Sequence, residues 1–583
     1  MGKTIIQKIF ESHSSSEAII GDIIDIEIDV RIARDFGGAN VVKNLEENDL
    51  KLNNPKKTFF TFDCNPSGCD QKYAANQHIC RQYARRNDVK IFDINRGIGT
   101  HLVVDEHIAK SGGTVVSTDS HANILGAYGA FGQGMGDRDI SHAWAYGKVW
   151  FKVPPTVRIV LKGKPSKNAY PKDVVLKMLR DLGANGLLGF AAEIYGDYVD
   201  SLSLDGKITI ASMATEMAGI ILIFPIGNIQ ADPDAEYAKT IEVNIDELKP
   251  MASRPGHPED VVDISDVKGT KVDSGFIGSC TNGRMEDMRT VAKILKGRKI
   301  APGRVLKIVP STDKIWKMCL EEGIIKIFKD AGALIGSAGC AGCAAGQIGQ
   351  TGHGEVAVSS GNRNFVGKQG KGDIFLVSPS TVAASLVAGY ITTEDDIPDE
   401  AGEVAITKEK QYKEKAKKDE PAKPTKIEGH TWVIKKDNID TDMIFHNRYL
   451  SITNMDEMAR YTFDNLEGYK DFAKRAKPGD IIIVGKNFGC GSSRQQAVDC
   501  FKSLGVAAII AKSFGSIYER NAINSAMPIL VADDLVNKVK DGDEISVDFT
   551  TGEIVDKSQG RTYIAKPFSK VQLEIYRKGD LLK

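Results

Sequence analysis

An α/β protein of several domains is the fold class this sequence predicts, and three observations predict it. Its 583 residues are more than one hydrophobic core serves, so three to five domains of ordinary size are expected. Short apolar runs alternate with helical stretches along most of the chain, the pattern of layered sheets and helices. A segment over 396–426 is rich in Lys, Glu and Pro and poor in large apolar residues, which is the composition of a solvated tether. The expected layout is a body of three α/β subdomains over 1–395, a charged linker over 396–426, and a separate C-terminal α/β domain over 427–583.

In chain order, KTFFTFD (57–63), VKIFDI (89–94), GTVVSTD (113–119) and TVRIVLKG (156–163) are apolar, β-branched or aromatic runs that read as strands. Residues 173–182 and 284–296 read as helices, and VLKIVPS (305–311) as a further strand. After the linker, TWVIKK (431–436), DIIIVGK (480–486) and VAAIIAKSF (506–514) repeat the strand signal. Between the last two lies NFGCGSSR, a glycine-rich turn, followed by a helix with Ala497, Val498, Phe501 and Leu504 on one face. No repeat of solenoid period is evident.

The composition narrows the function classes. Hydrophobic residues make up 42%, and 76 basic side chains face 77 acidic ones for a net charge of −1. These values exclude a disordered chain and argue against a large nucleic-acid footprint. No uninterrupted apolar run is long enough to span a membrane, and the start MGKTIIQKIFESHSSSEAII lacks a long apolar region with a cleavage site. A cytoplasmic monomer acting on a small molecule, with no membrane or nucleic-acid partner, is expected. Nine scattered cysteines are too few for a disulfide scaffold of this size and point to free thiols, some reserved for metal.

Cys340 and Cys343 form a C-x-x-C within GSAGCAGCAAGQIG, whose small residues let backbone approach a bulky ligand. Cys280 ends an apolar run in FIGSCTNGRMEDM and precedes a helical pattern, so it sits on a strand-to-helix turn that favours a thiolate. A C-x-x-C alone also serves redox dithiols and half zinc sites. Three thiolates from two turns suit an iron–sulfur cube better than structural zinc, which takes four ligands. A cube held at three irons leaves the fourth free to act as a Lewis acid.

The chain resembles the aconitase superfamily of [4Fe–4S] hydro-lyases, most closely the branch of 3-isopropylmalate dehydratase and homoaconitase. The motifs that carry the resemblance are TDSHANILGAYGAFGQGMG (118–136), AAEIYG (191–196), GSCTNGR (278–284), GCAGC (339–343), GNRNFVGKQG (361–370), DNIDTDMIFHNRYL (437–450) and NFGCGSSR (487–494). The resemblance implies a cluster-binding body of three α/β subdomains and a swivelling C-terminal domain, with the family's large and small subunits joined in one chain. It implies one [4Fe–4S] cluster per chain, with Cys280, Cys340 and Cys343 as ligands, one open iron, and Asn282 and Asn362 as polar neighbours. Ser492 matches the family's catalytic serine, which takes the proton from carbon, and Arg494 its substrate-carboxylate arginine, with Ser493 between them. Arg363 matches a second active-site arginine, and the next falls on Lys368, which keeps the charge and loses the fork. Asp119, Ser120, His121 and His101 correspond to an acid–histidine network around the open iron, and Glu193 to the glutamate near its water or hydroxyl.

Two positions depart from the family. Asp63 is followed by Cys64 where the family has Asp-His, and Ser212 stands where asparagine is common. The implied reaction is reversible dehydration and rehydration of a hydroxy di- or tricarboxylic acid through an unsaturated acid. No arginine directly follows Tyr449-Leu450, where Ser451 and Ile452 stand, which tilts the expected substrate toward isopropylmalate or another alkyl-malate. With Arg448 as a carboxylate partner, citrate/isocitrate or homoaconitate chemistry is the alternative. Readings from other classes are an RNA-binding regulator in the cluster-free form, and an electron-transfer iron–sulfur protein.

Overall fold

Parallel sheets dominate the computed structural model, which describes residues 2–66, 70–343, 346–398, 423–450, 452, 454–491 and 494–581. The chain divides into two compact units, Met1–Glu409 and Lys410–Lys583.

The N-terminal unit is built on three larger sheets. The first is wholly parallel, in the order Lys90–Phe92, Thr58–Thr61, Val30–Arg34, Thr114–Ser117, Phe131–Gly134. Every residue of Val30–Arg34 and Thr58–Thr61 is buried, as befits central parallel strands covered on both faces. On one of those faces Phe60 packs edge-on against Trp144, with ring centroids 4.9 Å apart. The second sheet, also parallel, runs Ile221–Ile223, Ala191–Tyr195, Thr156–Lys162, Lys239–Asn244. The third has seven strands, parallel from Asp373–Leu376 through Val356–Ser359, Ser274–Ile277 and Val305–Ile308 to Leu334–Ile335, with an antiparallel pair at the other edge.

The helix Pro171–Leu182 shows how local sequence sets an element. Pro171 occupies the first turn, Asp173 reaches back to the Tyr170 N–H at 2.8 Å, and Gly183 ends the helix with φ +74°. Val174, Val175, Met178 and Leu179 are buried along it.

The C-terminal unit has one seven-stranded sheet. Ile529–Val531, Ala508–Ala511, Ile481–Val484 and Lys426–Ile434 are parallel, and Glu544–Asp548, Glu553–Asp556 and Arg561–Ile564 continue it antiparallel. The helix Gln496–Leu504 follows the glycine-rich turn and buries Ala497, Val498 and Phe501. Among the described residues no helix is long and apolar enough to cross a membrane.

Candidate cluster and substrate site

The carboxyl ends of parallel strands from two sheets of the N-terminal unit converge on one cavity of about 320 Å³. Such ends are where open α/β sheets bind ligands. Arg34, Cys64 and Asp119 arrive from the first sheet, and Cys280, Cys340 and Cys343 from the third; Ser120, His121, Lys368, Phe36 and Tyr73 also line the cavity.

The cysteine turns have unusual backbone. Ser279 and Ala341 adopt φ +70° and +51°, left-handed values that cost side-chain-bearing residues energy and cluster at functional sites. A Cβ on Gly342 would stand 2.6 Å from Gln369 Nε2, so that side-chain amide would have to shift. The Cys280 thiol donates to Asn362 Oδ1 at 3.2 Å, and the Cys340 N–H donates to the Asp63 carbonyl at 2.9 Å, tying the early strand end to the C-x-x-C turn.

Arg34 is the central cation. Its side chain is 7% exposed; Nε meets Asp63 Oδ1 at 2.7 Å, Nη1 meets Asp119 Oδ1 at 3.1 Å, and Nη2 donates to Cys340 Sγ at 2.6 Å. Burial opposes its charge, but the flanking carboxylates and thiols hold it protonated, well above the ordinary range. Burial, with Asp35 and Asp119 close by, pushes the Asp63 carboxyl up to about 6 in spite of Arg34. Asp119 is held below its usual value: burial works against this, and Arg34 and His121 outweigh it.

A relay leads away from Asp119. His121 N–H donates to Asp119 Oδ1 at 3.1 Å, His121 Nε2 lies 3.1 Å from Glu216 Oε1, and Arg363 Nε lies 2.9 Å from both Glu216 oxygens. Burial would raise the Glu216 carboxyl, but the bonds from His121 and Arg363 hold it low. His101, fully buried, bonds the Cys280 carbonyl through Nε2 at 3.1 Å. A carbonyl only accepts, so Nε2 carries the proton and Nδ1 is a bare acceptor, without a partner among the described residues. Burial, then nearby Arg284, lowers the His101 pKa to about 4.

Several expected residues stand elsewhere. Glu193 is not at the cavity: its carboxylate accepts from the Ile5 N–H at the start of the helix Ile5–Ser12 and from the Tyr195 and Tyr237 hydroxyls, at 2.6–2.7 Å. Glu216 is the carboxylate bonded to the site histidine. Asn282 bonds Asp287 and Thr209 and does not line the cavity, whereas Asn362 does meet a cysteine. Arg363 reaches the site through Glu216, and Lys368 lies against Cys343. In the C-terminal unit, Arg494 forks onto Asp442 at 2.6 and 2.7 Å and donates to the Phe445 carbonyl at 3.2 Å. Those bonds occupy three of its five N–H donors, leaving Nε–H and one Nη2–H as a second fork among the described residues. Arg448 pairs with Asp464 at 2.9 Å and lies over the Tyr449 ring. Ser492, Ser493 and Ser451 lie outside the described residues.

Sequence reasoning missed Arg34, Phe36, Tyr73, Glu216 and Lys172. Arg34-Asp35 closing the apolar run VRIA was the available signal for the first, and Glu216 stands four residues after the singled-out Ser212. Lys172, fully buried, donates to the Gly361 carbonyl at 2.7 Å and so holds the loop bearing Asn362 and Arg363; burial lowers its pKa to about 8.

The donor set fits an iron–sulfur group. Three free thiols on glycine-lined turns face one cavity beside a single guanidinium. Burial, reinforced by Asp119 and the other thiols, pushes the Cys280 thiol well above its ordinary value, an effect that bound cationic iron reverses. A tighter grouping of Asp35, Asp63 and Cys64 ligand atoms, within 4.8 Å of one another, is a turn anchor. The Asp35 oxygens already accept the Cys64 and Asn65 N–H groups at 3.0 Å and Gln77 Nε2 at 3.2 Å.

Residues 7–229 and 265–389 match the model of the aconitase family (aconitate hydratase). The chain belongs to the aconitase family. Residues 404–533 match the aconitase C-terminal domain. The homoaconitase large subunit of Thermus thermophilus is 36% identical over 414 residues, 69% of this chain and 99% of that relative. A 3-isopropylmalate dehydratase large subunit of Archaeoglobus fulgidus is 36% identical over 410 residues, 67% and 98% of the two chains. A solved 3-isopropylmalate dehydratase from Methanocaldococcus jannaschii is 37% identical, covers 27% of this chain and 91% of its own, and has a TM-score of 0.26. Every residue lining the cavity just described falls within the two stretches that match the aconitase family.

Proposed function

We propose that this chain is a [4Fe–4S]-dependent hydro-lyase that dehydrates and rehydrates a malate-type hydroxy acid, with an alkyl-malate such as isopropylmalate as the preferred substrate class. The observation that carries the reading is the meeting of Cys280, Cys340 and Cys343 in one cavity with Asp119, His121 and Lys368. Relatives named as 3-isopropylmalate dehydratase and homoaconitase large subunits support it. A [4Fe–4S] cluster on those three cysteines would supply an iron without a cysteine ligand, a Lewis acid toward a substrate hydroxyl.

The chain's own residues do the rest. The His121–Glu216 pair, steadied by Arg363, holds a proton beside the cavity, and Asp119 fixes the turn that presents it. Lys368 offers a cation to a substrate carboxylate, and Arg494 offers its second fork. Ser492, which matches the family's catalytic serine, takes the proton from carbon. Arg448, already paired with Asp464 and stacked on Tyr449, is poorly placed to serve a third carboxylate, which favours an alkyl substituent.

The extent of the chain beyond its large-subunit relatives, with the C-terminal domain match over 404–533, supports a large and a small subunit joined in one chain. The test is anaerobic reconstitution followed by citrate, isocitrate, homocitrate, 2- and 3-isopropylmalate and 2,3-dimethylmalate, monitoring absorbance of the unsaturated acid. Turnover of an alkyl-malate is expected. An iron-loaded protein that turns over none of them rejects the hydro-lyase reading.

A further inference from the structure

The cavity is lined by a fourth cysteine besides the three at the motif turns. Cys64 is buried and lines the same 320 Å³ space, and its thiol donates to Asp63 Oδ1 at 3.7 Å. Its position is locked from two sides. Asp35 clamps the turn by accepting the Cys64 and Asn65 N–H groups at 3.0 Å each, and the Asp63 carbonyl accepts the Cys340 N–H at 2.9 Å. The two turns are thereby stitched into one cradle. Arg34, whose Nη2 reaches Cys340 Sγ at 2.6 Å, places a positive charge at the same cradle.

We propose that Cys64 is a fourth, displaceable thiolate ligand of the cluster, taking the iron that Cys280, Cys340 and Cys343 leave without a protein ligand whenever no hydroxy acid is bound. The exchange moves no electrons. One iron–sulfur bond forms as the thiol gives its proton to solvent; when substrate arrives that bond breaks, the substrate hydroxyl takes the place, and the thiolate regains a proton from solvent. A residue at this position that binds soft metal differs in kind from an acid–base group. The arrangement would shield the labile iron from loss while the enzyme idles.

The inference rests on the cluster reading above, and the experiment separates the two. Full-length wild type and Cys64→Ala are reconstituted anaerobically, iron and sulfide per chain are measured, and the clusters are treated with ferricyanide while the electron-paramagnetic signal of a three-iron cluster is followed. Wild type is expected to form that signal about ten-fold more slowly than Cys64→Ala, the scale on which metal-site contacts alter retention. Equal rates with full iron loading overturn the fourth-ligand role and leave the cluster reading standing. Wild type that takes up no cluster overturns both. Should Cys64→Ala not fold, Mössbauer spectra of wild type alone decide the matter: one iron distinct from the other three before substrate is added overturns the proposal, whereas one that becomes distinct only after substrate is added supports it.

Discussion

His101 and the two glutamates make the sharpest cases at the scale of single residues. The His101 imidazole has an ordinary value of 6.5 and is brought to about 4 by burial and then by Arg284. The folded chain therefore binds fewer protons than the unfolded one between those values, and stability present above pH 6.5 is lost as pH falls toward 4. From about 2.5 pKa units at 1.36 kcal/mol each, the loss is about 3 kcal/mol. Denaturant unfolding at a series of pH values is expected to show this slope, and His101→Gln, which keeps a donor for the Cys280 carbonyl, is expected to flatten it. The glutamates separate function from structure. Glu216→Gln is expected to lower kcat by about two orders of magnitude, the scale of lost acid–base support. Glu193→Gln is expected to leave kcat within a few-fold and instead cost about 1–3 kcal/mol of stability, because one buried and two half-buried donors lose a carboxylate. Assays of both variants beside their melting curves check the assignment. Cys280→Ser should remove cluster and turnover together, whereas Ser492→Ala should keep the iron and abolish turnover, as measured by iron content and rate.

At the scale of elements, the turn between Ile481–Val484 and the helix Gln496–Leu504 depends on glycine for a specific reason. Gly489 has φ +73°, and a Cβ on it would stand 2.2 Å from the Tyr518 ring. Gly489→Ala must shift the ring or the turn, and a loss of both stability and activity is expected. Below that turn, Phe463, Phe472, Phe488 and Phe501 form a buried aromatic cluster with ring centroids 5.1–6.4 Å apart. Phe463→Ala is expected to cost the C-terminal unit about 3–5 kcal/mol in denaturant unfolding, since a full ring leaves a cavity there. The sequence runs that read as strands all meet one: 57–63 holds Thr58–Thr61, 305–311 holds Val305–Ile308 and 480–486 holds Ile481–Val484, while 431–436 covers only the end of Lys426–Ile434. Continuous apolar runs are legible because central parallel strands are buried on both faces. Edge strands such as Arg561–Ile564, mostly exposed, carry no such run and pass unnoticed.

At the scale of the whole molecule, the chain divides into two compact units, and under the proposed joining of a large and a small subunit their covalent linkage is dispensable. Expressing the chain as two polypeptides divided within 399–422 is expected to give two folded products whose mixture regains turnover; products that are folded but inactive together would argue that the linkage is needed. The cysteine turns were readable from residue type and spacing, because each is local in the chain, and Arg494 from its match to a family motif. Asp119 and His121, two residues apart at one strand end, were picked out by the shared motif TDSH. The partners were not readable. Arg34 meets Cys340 across 306 residues, and His121 meets Glu216 across 95. Such pairings are set by which elements of separate layers the packed core brings together, a property with no counterpart in sequence spacing. For that reason the sequence by itself determined the family, the fold class and the thiols, whereas the tertiary structure decided that Glu216 is the carboxylate bonded to His121, set Glu193 among Ile5, Tyr195 and Tyr237, and brought Cys64 to the cavity that Cys280, Cys340 and Cys343 line.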